Sequence, residues 1–410
     1  MASGVAATAV GNGSAASAAS ASAFGDGSTA SAVSASAFGD GAAASALAAT
    51  AGGRNAIASA ASASAFGDGS TASGRGSSAF GDGASASALA STAVGNGSNA
   101  SFQSASAFGD GSTASGVGAT AVGKSASASA LNASAFGDGA SAAAISASAF
   151  GDGAVASGGA ATALGAGSTA SGIGAIAVGD ASATNTNAIA VGTGASATGL
   201  ASIAIGAGAS ATGSVAIGSI ASASNGGSAY GDASHATGLH ASAVGYGATA
   251  TLSNSAAFGN GAVATFADQQ VFGTASNTYT MPGITSPESE SRLFGRKELV
   301  ETDALGNLAG DNGALFTAMA KVQAGIAIAL ATEAPSLTTD EKFGVKVGYG
   351  NYNGRGSGIS GSAIGVLCRD CLTNSDRLAV DASIGAGWSE YQSYGSDTVV
   401  GGRVGLQWTW

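Results

Sequence analysis

The chain has 410 residues, of which 69 are Gly, only 3 are Pro and 9% are charged, and its net charge is -11 with a pI near 4.4. This composition is unlike that of an ordinary enzyme, and collagen would need far more Pro and a Gly at every third position. Because the few Lys and Arg residues are scattered, we expect no nucleic-acid partner, since no basic stripe could displace counterions from phosphates.

The beginning of the chain carries no recognisable targeting signal. Met1-Ala2-Ser3-Gly4 runs directly into a repeat, so we expect an exported form to have a different or processed N terminus. We also find no run of about 18 apolar residues and therefore expect no transmembrane helix.

A large apolar residue between Ala and Gly recurs about every 14 residues from Val10 to Phe272. Gly follows each of these positions, and only Gly52 interrupts the apolar series. A disordered low-complexity chain would tolerate drift in this spacing, whereas a fixed period is typical of identical units that stack on their neighbours. The repeat therefore predicts a long and repetitive fold.

Each repeat contains the residues needed for two short strands and two turns. The tetrad Gly25-Asp26-Gly27-Ser28 recurs with Asp or Asn, and these residue types tolerate the positive φ values of turns. We interpret one repeat as one coil of a β-solenoid head, with about twenty coils of 12 to 14 residues over residues 1–273. A second, weaker apolar row follows the first by nine residues: Val33, Leu47, Leu89, Val117, Leu131, Ile145, Ile173, Leu200 and Leu239.

The energetics of a single coil predict that the chain associates with copies of itself. Burying one Phe or Val side chain stabilises a fold by about 1.5–3 kcal/mol, whereas fixing the backbone of a whole coil costs on the order of 14–28 kcal/mol. Copies packed side by side would let their apolar residues share one core. We therefore predict an obligate homo-oligomer with a head core formed by Val10, Phe24, Phe38, Phe66, Phe80, Val94, Phe108, Phe136 and Phe150.

The composition changes after residue 273. Pro282 and a charged cluster at 288–301 predict a connector over 274–310. A helix is expected within 311–335, and Pro335 ends it. The a/d spacing of a coiled coil is present in its apolar seam, which consists of Leu315, Met319, Val322 and Ile326.

The last segment, 340–410, alternates between apolar and small or polar residues. The alternation is clear in 342–352, 377–388 and 398–410 and weaker in 357–367, and Trp388, Trp408 and Trp410 mark the strand ends. Long strands with one apolar face and aromatic ends fit a transmembrane β-barrel, although a soluble antiparallel sheet can show the same alternation. Four strands cannot close a barrel, whereas three chains would supply twelve, so self-association is predicted a second time, here as a trimer.

The head repeats and the C-terminal strands occur in a fixed order. Short apolar strands that end in an apolar residue and Gly include Ser22-Ala23-Phe24-Gly25 and Ser202-Ile203-Ala204-Ile205-Gly206. They are followed by Ala324-Gly325-Ile326-Ala327-Ile328-Ala329, Pro335, the strand from Gly344 to Tyr352 with Asn353-Gly354, and the terminal Trp410. In this order the chain resembles a trimeric autotransporter adhesin of the YadA-like type.

The resemblance implies a mainly all-β fold. It implies a trimeric left-handed parallel β-roll head, a short helix in the lumen, and a 12-stranded outer-membrane barrel to which each chain contributes four strands. The implied partners are two further copies of the chain, the outer membrane, the outer-membrane assembly machinery that recognises Trp410, and an unidentified host or surface ligand. Small residues at Gly344, Gly348, Gly385 and Gly387 would leave room for three helices inside the barrel.

Few residues in the sequence could carry chemistry. His235 and His240 lie in Gly-, Ala- and Ser-rich repeats, and we expect exposed turn positions rather than a catalytic pair. One Asp per turn leaves too few oxygen ligands for calcium, so we expect neither a metal nor another cofactor. Cys368 and Cys371 predict a local disulfide or two free thiols rather than a redox pair.

Three hypotheses for function remain. A surface adhesin would bind through many weak repeated contacts, a calcium- or ice-binding solenoid would present a flat array of one residue type, and a secreted enzyme would need a cleft of clustered polar residues. Thr29, Thr71 and Thr113 hint at an ice-binding array, but Ala43 interrupts it. Only the adhesin requires the C-terminal strands. We therefore interpret the chain as a non-enzymatic adhesin, anchored in the outer membrane with its head at the cell surface.

Overall fold

The computed structural model describes residues 1–293, 298–373, 375–390 and 396–410. They form two compact units, Met1–Asn277 and Thr278–Trp410. The first unit is a β-solenoid, and the second contains one long helix and a four-stranded antiparallel sheet. The expected fold class, a solenoid followed by a helix and four antiparallel strands, is confirmed.

Every coil of the solenoid but the last contributes one strand to each of two parallel sheets. The first strands of the coils, with three residues each, are Thr8–Val10, Ser22–Phe24, Ser36–Phe38, Thr50–Gly52, Ser64–Phe66, Ser78–Phe80, Thr92–Val94, Ser106–Phe108, Thr120–Val122, Ser134–Phe136, Ser148–Phe150, Thr162–Leu164, Ile176–Val178, Ile189–Val191, Ile203–Ile205, Val215–Ile217, Ser228–Tyr230, Ser242–Val244, Ala256–Phe258 and Gln270–Phe272. The second strands are Ala15–Ala16, Thr29–Ala30, Ala43–Ala44, Ile57–Ala58, Thr71–Ala72, Ser85–Ala86, Asn99–Ala100, Thr113–Ala114, Ser127–Ala128, Ser141–Ala142, Val155–Ala156, Thr169–Ala170, Ser182–Ala183, Ser196–Ala197, Ser210–Ala211, Ser222–Ala223, His235–Ala236, Thr249–Ala250 and Val263–Ala264.

The register of both sheets follows the sequence repeat. Ser22 pairs with Ser36 and Phe24 with Phe38 in parallel strands, so each residue lies beside its equivalent one coil later. The two strands and two turns of the predicted coil are present, but the second apolar row is not part of the second strand. Val33, for example, lies in the second turn, and the second strand of that coil is Thr29–Ala30.

Small side chains fill the interior of the solenoid. In the coil around Phe24, Ala21, Ala23, Ser28 and Ala30 have no exposed surface. Because neighbouring residues of a strand point to opposite faces, Phe24 points outward and is 36% exposed. The interior has room only for methyl and hydroxymethyl groups, so a single chain leaves its large apolar residues on the surface.

Buried serine hydroxyl groups of the interior are paired locally, with Ser214 as an exception. The Ser28 hydroxyl donates a hydrogen bond to the Gly25 carbonyl at 2.8 Å, and the Ser70 hydroxyl does the same to Gly67 at 3.0 Å. An unpaired hydroxyl would be costly in this apolar interior. Ser can therefore replace Ala at this position of the coil.

The Gly after each large apolar residue is required by the stacking of the coils. Gly25 has a φ of 127°, and a Cβ at this position would lie 2.5 Å from the carbonyl group of Gly39 in the next coil. A side chain would thus strain the backbone and clash with the neighbouring coil. This explains why Gly follows every large apolar residue in the sequence.

The second unit begins with short elements. A 3₁₀ helix spans Pro282–Thr285, a short helix spans Pro287–Ser291, and Val300–Thr302 pairs with Leu308–Gly310 as a hairpin. The long helix then spans Ala314–Ala331. The Asp311 carboxylate accepts hydrogen bonds from the backbone N–H groups of Gly313 and Leu315 and so satisfies donors at the start of this helix.

The C-terminal sheet contains four strands in chain order: Phe343–Tyr352, Gly356–Arg369, Arg377–Glu390 and Ser396–Thr409. The strands are antiparallel, and an irregularity between Val366 and Cys368 shifts the register of the second and third strands. The weak alternation of 357–367 is thus part of a regular strand for most of its length.

The long helix is apolar for most of its length, although Thr317, Lys321 and Gln323 interrupt the apolar run. Among the described residues, the helix Ala314–Ala331 is long and apolar enough to cross a membrane by length and composition, with a mean hydropathy of 1.6. One face of it packs on the C-terminal sheet through Ala320, Ala324, Ala327, Ile328 and Ala331. Its apolar character therefore serves packing within this unit.

Two glycines of one turn give a matched test of coil stacking. Gly67→Ala places a Cβ 2.5 Å from the Gly81 backbone, whereas Gly69→Ala meets no atom within 4 Å. We expect Gly69→Ala to lower the free energy of unfolding by about 1–2 kcal/mol, the cost of a left-handed Ala, and Gly67→Ala to lower it by more. Thermal unfolding followed by circular dichroism measures both. Equal losses would contradict the stacking argument.

Candidate functional site: an apolar face of the solenoid and a helix-covered sheet

The residues predicted to form the head core lie on the outer surface of a single chain. They occupy the last position of the first strand in each coil, and we call this row, from Val10 to Phe272, the ladder. Its members are exposed or half-buried, and Val10 is 54% exposed. This holds for Val10, Phe24, Phe38, Phe66, Phe80, Val94, Phe108, Phe136 and Phe150. Their burial between chains remains a prediction.

Aromatic residues of neighbouring coils stack within the ladder. The ring centroids of Phe24 and Phe38 are 5.4 Å apart, and those of Phe136 and Phe150 are 5.0 Å apart, with interplanar angles of 7° in both pairs. Parallel strands bring equivalent residues to about 4.8 Å from each other, so the rings lie nearly face to face. The ladder presents ring edges rather than ring faces to its surroundings.

Gly52 is an adaptation within the ladder rather than a simple gap. A Cβ at Gly52 would lie 2.6 Å from Cδ1 of Phe66. The ring of Phe66 therefore covers the position where a side chain would otherwise stand. The neighbouring ring of Phe80 continues the stack, with a centroid distance of 5.3 Å.

A second row lies on the same face of the first sheet, and the sequence analysis missed it. The first residue of each first strand is Ser or Thr from Thr8 to Thr162, and we call this row the middle row. The row then becomes aliphatic at Ile176, Ile189, Ile203 and Val215. The period-two pattern of Ser-Ala-Phe and Ile-Ala-Ile could have revealed it, because residues on either side of an inward Ala share the outer face.

The second apolar row predicted from the sequence forms an exposed ridge in the second turn. Val117, for example, is 42% exposed. We use the name ridge for this turn position in every coil and for the residues that occupy it. Its apolar members are Val33, Leu47, Leu89, Val117, Leu131, Ile145, Ile173, Leu200 and Leu239.

The Asp residues of the first turn stabilise the backbone of the preceding coil. Oδ1 of Asp26 accepts a hydrogen bond from the N–H of Asn12 at 2.9 Å, and Oδ1 of Asp40 accepts one from Asp26 at 3.1 Å. An Asn side chain offers an equivalent carbonyl oxygen. This role explains why Asn can replace Asp in the repeat, and it requires no bound calcium.

Arg54 replaces Asp in this row and pairs with the Asp of the next coil. Its guanidinium group hydrogen-bonds the carboxylate of Asp68, and both groups are exposed. The hydrogen bond from Arg54 lowers the pKa of Asp68 below its ordinary value, and Asp68 in turn raises the pKa of Arg54. The pair also separates like charges along the row.

The two histidines lie on the surface of the solenoid, in different elements. His235 belongs to the second strand His235–Ala236, with Nδ1 2.7 Å from the Ala233 carbonyl, and His240 lies in a turn with a φ of 55°. The expectation of turn positions is therefore wrong for His235. Within the described residues, no group of three or more His, Cys, Asp or Glu side chains could hold a metal ion.

The inner face of the C-terminal sheet is shaped to receive the long helix. A Cβ at Gly385 would lie 2.9 Å from Ile328, and one at Gly387 would lie 2.5 Å from the Ala324 carbonyl oxygen. The hydroxyl group of Ser389 donates to the Ala320 carbonyl at 2.8 Å. Glycine and serine on this face therefore let the helix approach the strands closely.

Gly344 and Gly348, which were also predicted to leave room for helices, lie against the end of the helix and the segment that follows it. A Cβ at Gly344 would lie 2.8 Å from Leu337 and 3.3 Å from Pro335, and one at Gly348 would collide with the Ala331 carbonyl. The Ser360 hydroxyl donates to that carbonyl at 2.6 Å. In one chain, these small residues thus make room for its own helix.

The predicted helix seam faces away from the sheet of its own chain. Leu315, Met319 and Val322 are exposed, and Ile326 is half-buried. The opposite, Ala-rich face of the helix contacts the strands. The seam is therefore available for contact with another helix, and that contact remains a prediction.

One ion pair on the inner face was also missed by the sequence analysis. Asp381 is only 2% exposed, and its carboxylate lies 3.1 Å from a guanidinium nitrogen of Arg403 on the next strand. Removing one partner of such a pair leaves a buried charge without compensation. The polar positions of the alternating pattern could have indicated it.

The outer face of the C-terminal sheet is apolar and carries aromatic residues at both ends. Val345, Val347 and Ile384 are exposed on this face. Trp388 lies near one end of the sheet and Trp408 near the other, because the third and fourth strands are antiparallel. Trp410 follows the last strand and is 92% exposed.

Cys368 and Cys371 form a disulfide bond at the junction of the second and third strands. Their Cα atoms are 6.0 Å apart, within the usual range for a disulfide. Of the two alternatives left open by the sequence, the structure contains the bridged form.

A comparison with known protein families identifies the solenoid repeat. The family model described as YadA head domain repeat (2 copies) matches residues 58–84, 72–98, 86–112, 103–126, 114–140, 156–182, 183–209 and 236–262. Among solved structures, the collagen-binding domain of the Yersinia adhesin YadA is 18% identical, with 47% of this chain and 79% of that chain covered and a TM-score of 0.20. The sequence has no significant match among curated proteins.

The C-terminal sheet offers a matched pair of glycines for a test of helix packing. Gly387→Val forces side-chain atoms into the helix at Ala324, whereas the Cβ of Gly361→Val meets nothing within 4 Å. We expect Gly387→Val to destabilise the unit by about 1–3 kcal/mol or more, as overpacking does, and Gly361→Val to have little effect. Thermal unfolding of the detergent-solubilised protein compares them. Similar melting temperatures for both variants would contradict the packing.

The Arg54–Asp68 pair predicts a measurable titration shift. In Arg54→Gln, we expect the pKa of Asp68 to rise toward its ordinary value, because the largest cause of its lowering is lost. The pair's small contribution to stability is present above the ordinary Asp pKa and is lost as the pH falls through the lowered value. Carboxyl NMR titration measures the shift, and Lys124→Gln is the control. An unchanged Asp68 in Arg54→Gln would refute the assignment.

Proposed function

We propose that this YadA-like chain is one third of a trimeric adhesin that is anchored in an outer membrane and displays its solenoid at the cell surface. The observation that carries the proposal is the combination of two features in one chain. Residues 58–262 contain matches to the YadA head domain repeat, and the C-terminal unit is a sheet with an apolar outer face and a helix on its inner face.

The C-terminal sheet supports membrane anchoring because its two faces differ in chemistry. The outer face exposes apolar side chains such as Val345 and Val404, which suits contact with lipid, and aromatic residues at both ends suit the two membrane interfaces. The inner face carries glycine, serine and the Asp381–Arg403 pair. This is the distribution expected of a barrel whose lumen is filled by helices.

The open edges of the sheet support a trimer. The first strand, Phe343–Tyr352, and the fourth, Ser396–Thr409, each pair with only one neighbour in the described sheet. Within a membrane, unpaired backbone groups at such edges are too costly. Three copies of the sheet would close a barrel of twelve strands, with Leu315, Met319, Val322 and Ile326 of each helix meeting at its centre.

The head supports the same stoichiometry by an independent argument. Its ladder is a row of exposed or half-buried apolar residues along the solenoid, interrupted at Gly52, and an apolar surface of this extent marks an interaction site. Burial of the ladder between three chains would supply the apolar core that the Ala-filled interior of one chain lacks.

The proposed mechanism is mechanical and multivalent rather than catalytic. Each coil repeats nearly the same surface, so a ligand with repeated sites can bind through many weak contacts, and avidity replaces a single strong site. The ligand would be a host or other surface-bound polymer. A calcium- or ice-binding solenoid without adhesin function is the alternative, but it offers no reason for the helix-covered C-terminal sheet.

The proposal predicts that surface display depends on the C-terminal unit. Cells of a Gram-negative host that express the full chain with an export signal should expose the head, and deletion of 311–410 should abolish this exposure. Antibody labelling of intact cells, together with an SDS-resistant trimer in the outer-membrane fraction, measures the result. Recovery of the full chain only as a soluble monomer would overturn the proposal.

Adhesion is tested separately from display. Cells that display the full chain should adhere to matrix-coated surfaces more than cells that express the 311–410 deletion and display no head. Equal adhesion by displaying and non-displaying cells would refute the adhesin function while leaving the anchor intact.

A further inference from the structure

Two rows lie on the outer face of the first sheet, and the ridge lies in the turn that precedes this sheet, so the order of the three rows follows from the path of the chain. The second turn leads into the first strand, so the ridge lies at the edge where that strand begins. The middle row comes next, and the ladder lies at the opposite edge, before the first turn. In one coil the three positions are Val117, Thr120 and Val122.

These rows suit a partner with the same repeat. Each row advances by one coil at the spacing of parallel strands, about 4.8 Å, so an occupant must present apolar groups at that spacing along its whole length. A second copy of this chain does so. The first-turn Asp row, for example Asp68 and Asp82, lies beyond the ladder edge and outside the three rows.

Cyclic symmetry determines how the rows of neighbouring copies meet. In a ring of three, each interface is heterologous: one surface of a chain contacts a different surface of the next. We propose that the ridge of each chain packs against the ladder of its neighbour and that the middle row faces the threefold axis. The inference rests on the trimer proposed above and specifies which residues form its interfaces.

The charges of the face support this pairing. Arg75 is a charged residue in the ridge, and it lies in the turn that leads into the first strand Ser78–Phe80 of the next coil. In the proposed pairing it meets the ladder edge of the next chain near Phe80, and Asp82 lies in the turn just beyond. A cation in the ridge thus faces an acidic edge, whereas contact between two ladder edges would bring the Asp rows of two chains together.

The middle row changes in character along the solenoid. It is aliphatic at Ile176, Ile189, Ile203 and Val215, whereas its members from Thr8 to Thr162 are Ser or Thr. Between Ile176 and Val215 the middle row would form a dry segment of the axis, while hydroxyl groups would line the axis over the preceding coils.

Cysteine substitution in one coil tests the pairing in the full-length trimer. The variants are Val117→Cys, Thr120→Cys, Val122→Cys and the double variant Val117→Cys/Val122→Cys, which are all close to the size of the native side chains. Positions 117 and 122 of one chain are separated by more than the strand from Thr120 to Val122, about 7 Å long, which is too far for an intrachain disulfide. The unsubstituted protein, with its local Cys368–Cys371 bridge, is the control.

After mild oxidation, the double variant should give a covalent trimer on denaturing, non-reducing gels. Thr120→Cys should give a covalent dimer, because two of three cysteines at the axis can join, and the other single variants should give monomers. If light scattering shows a trimer but the single variant Val122→Cys forms cross-links, or the double variant forms none, the pairing is overturned and the trimer is retained. A monomer by light scattering overturns both.

Discussion

The stacking of each coil directly on the next is the constraint on which the solenoid depends. Parallel in-register pairing places every residue beside its equivalent in the neighbouring coil. A side chain is therefore tolerated only if a copy of it can lie about 4.8 Å away. Gly25 meets this requirement because it has no Cβ, which would otherwise strike the backbone of the next coil. Phe24 meets it by stacking its ring on that of Phe38, and Asp26 meets it by accepting a hydrogen bond from a backbone N–H group of the preceding coil.

The same constraint separates the interior of the solenoid from its interaction surface. A coil this short can enclose only small groups, so Ala23 and Ala30 are buried while Phe24 stays outside. In most globular domains the largest apolar residues form the core of the chain itself. Here they stay on the outer surface of a single chain, and we propose that they contact other copies of the chain.

The C-terminal unit uses small residues for a related purpose. Gly385, Gly387 and Ser389 bring the inner face of the sheet close to the helix, and the outer face of the same strands is apolar. Both units thus place alanine and glycine where backbone segments must approach each other and large apolar residues where the chain meets something else. For the sheet we propose that this is lipid, and for the ladder that it is a second copy of the chain.

The sequence by itself determined the period, the coil, the outer face of the C-terminal strands and the small residues of their inner face, because each follows from a local spacing of residue types. It could not locate the second strand, because Thr29–Ala30 contains no large apolar residue, whereas the apolar Val33 lies in the turn that follows. Only the tertiary structure decided that Ala fills the solenoid, that ladder and middle row share one face of the first sheet, and that Asp381 pairs with Arg403. Those facts depend on which residues of different coils or strands are brought together and on how narrow the interior is, and neither is contained in a local pattern.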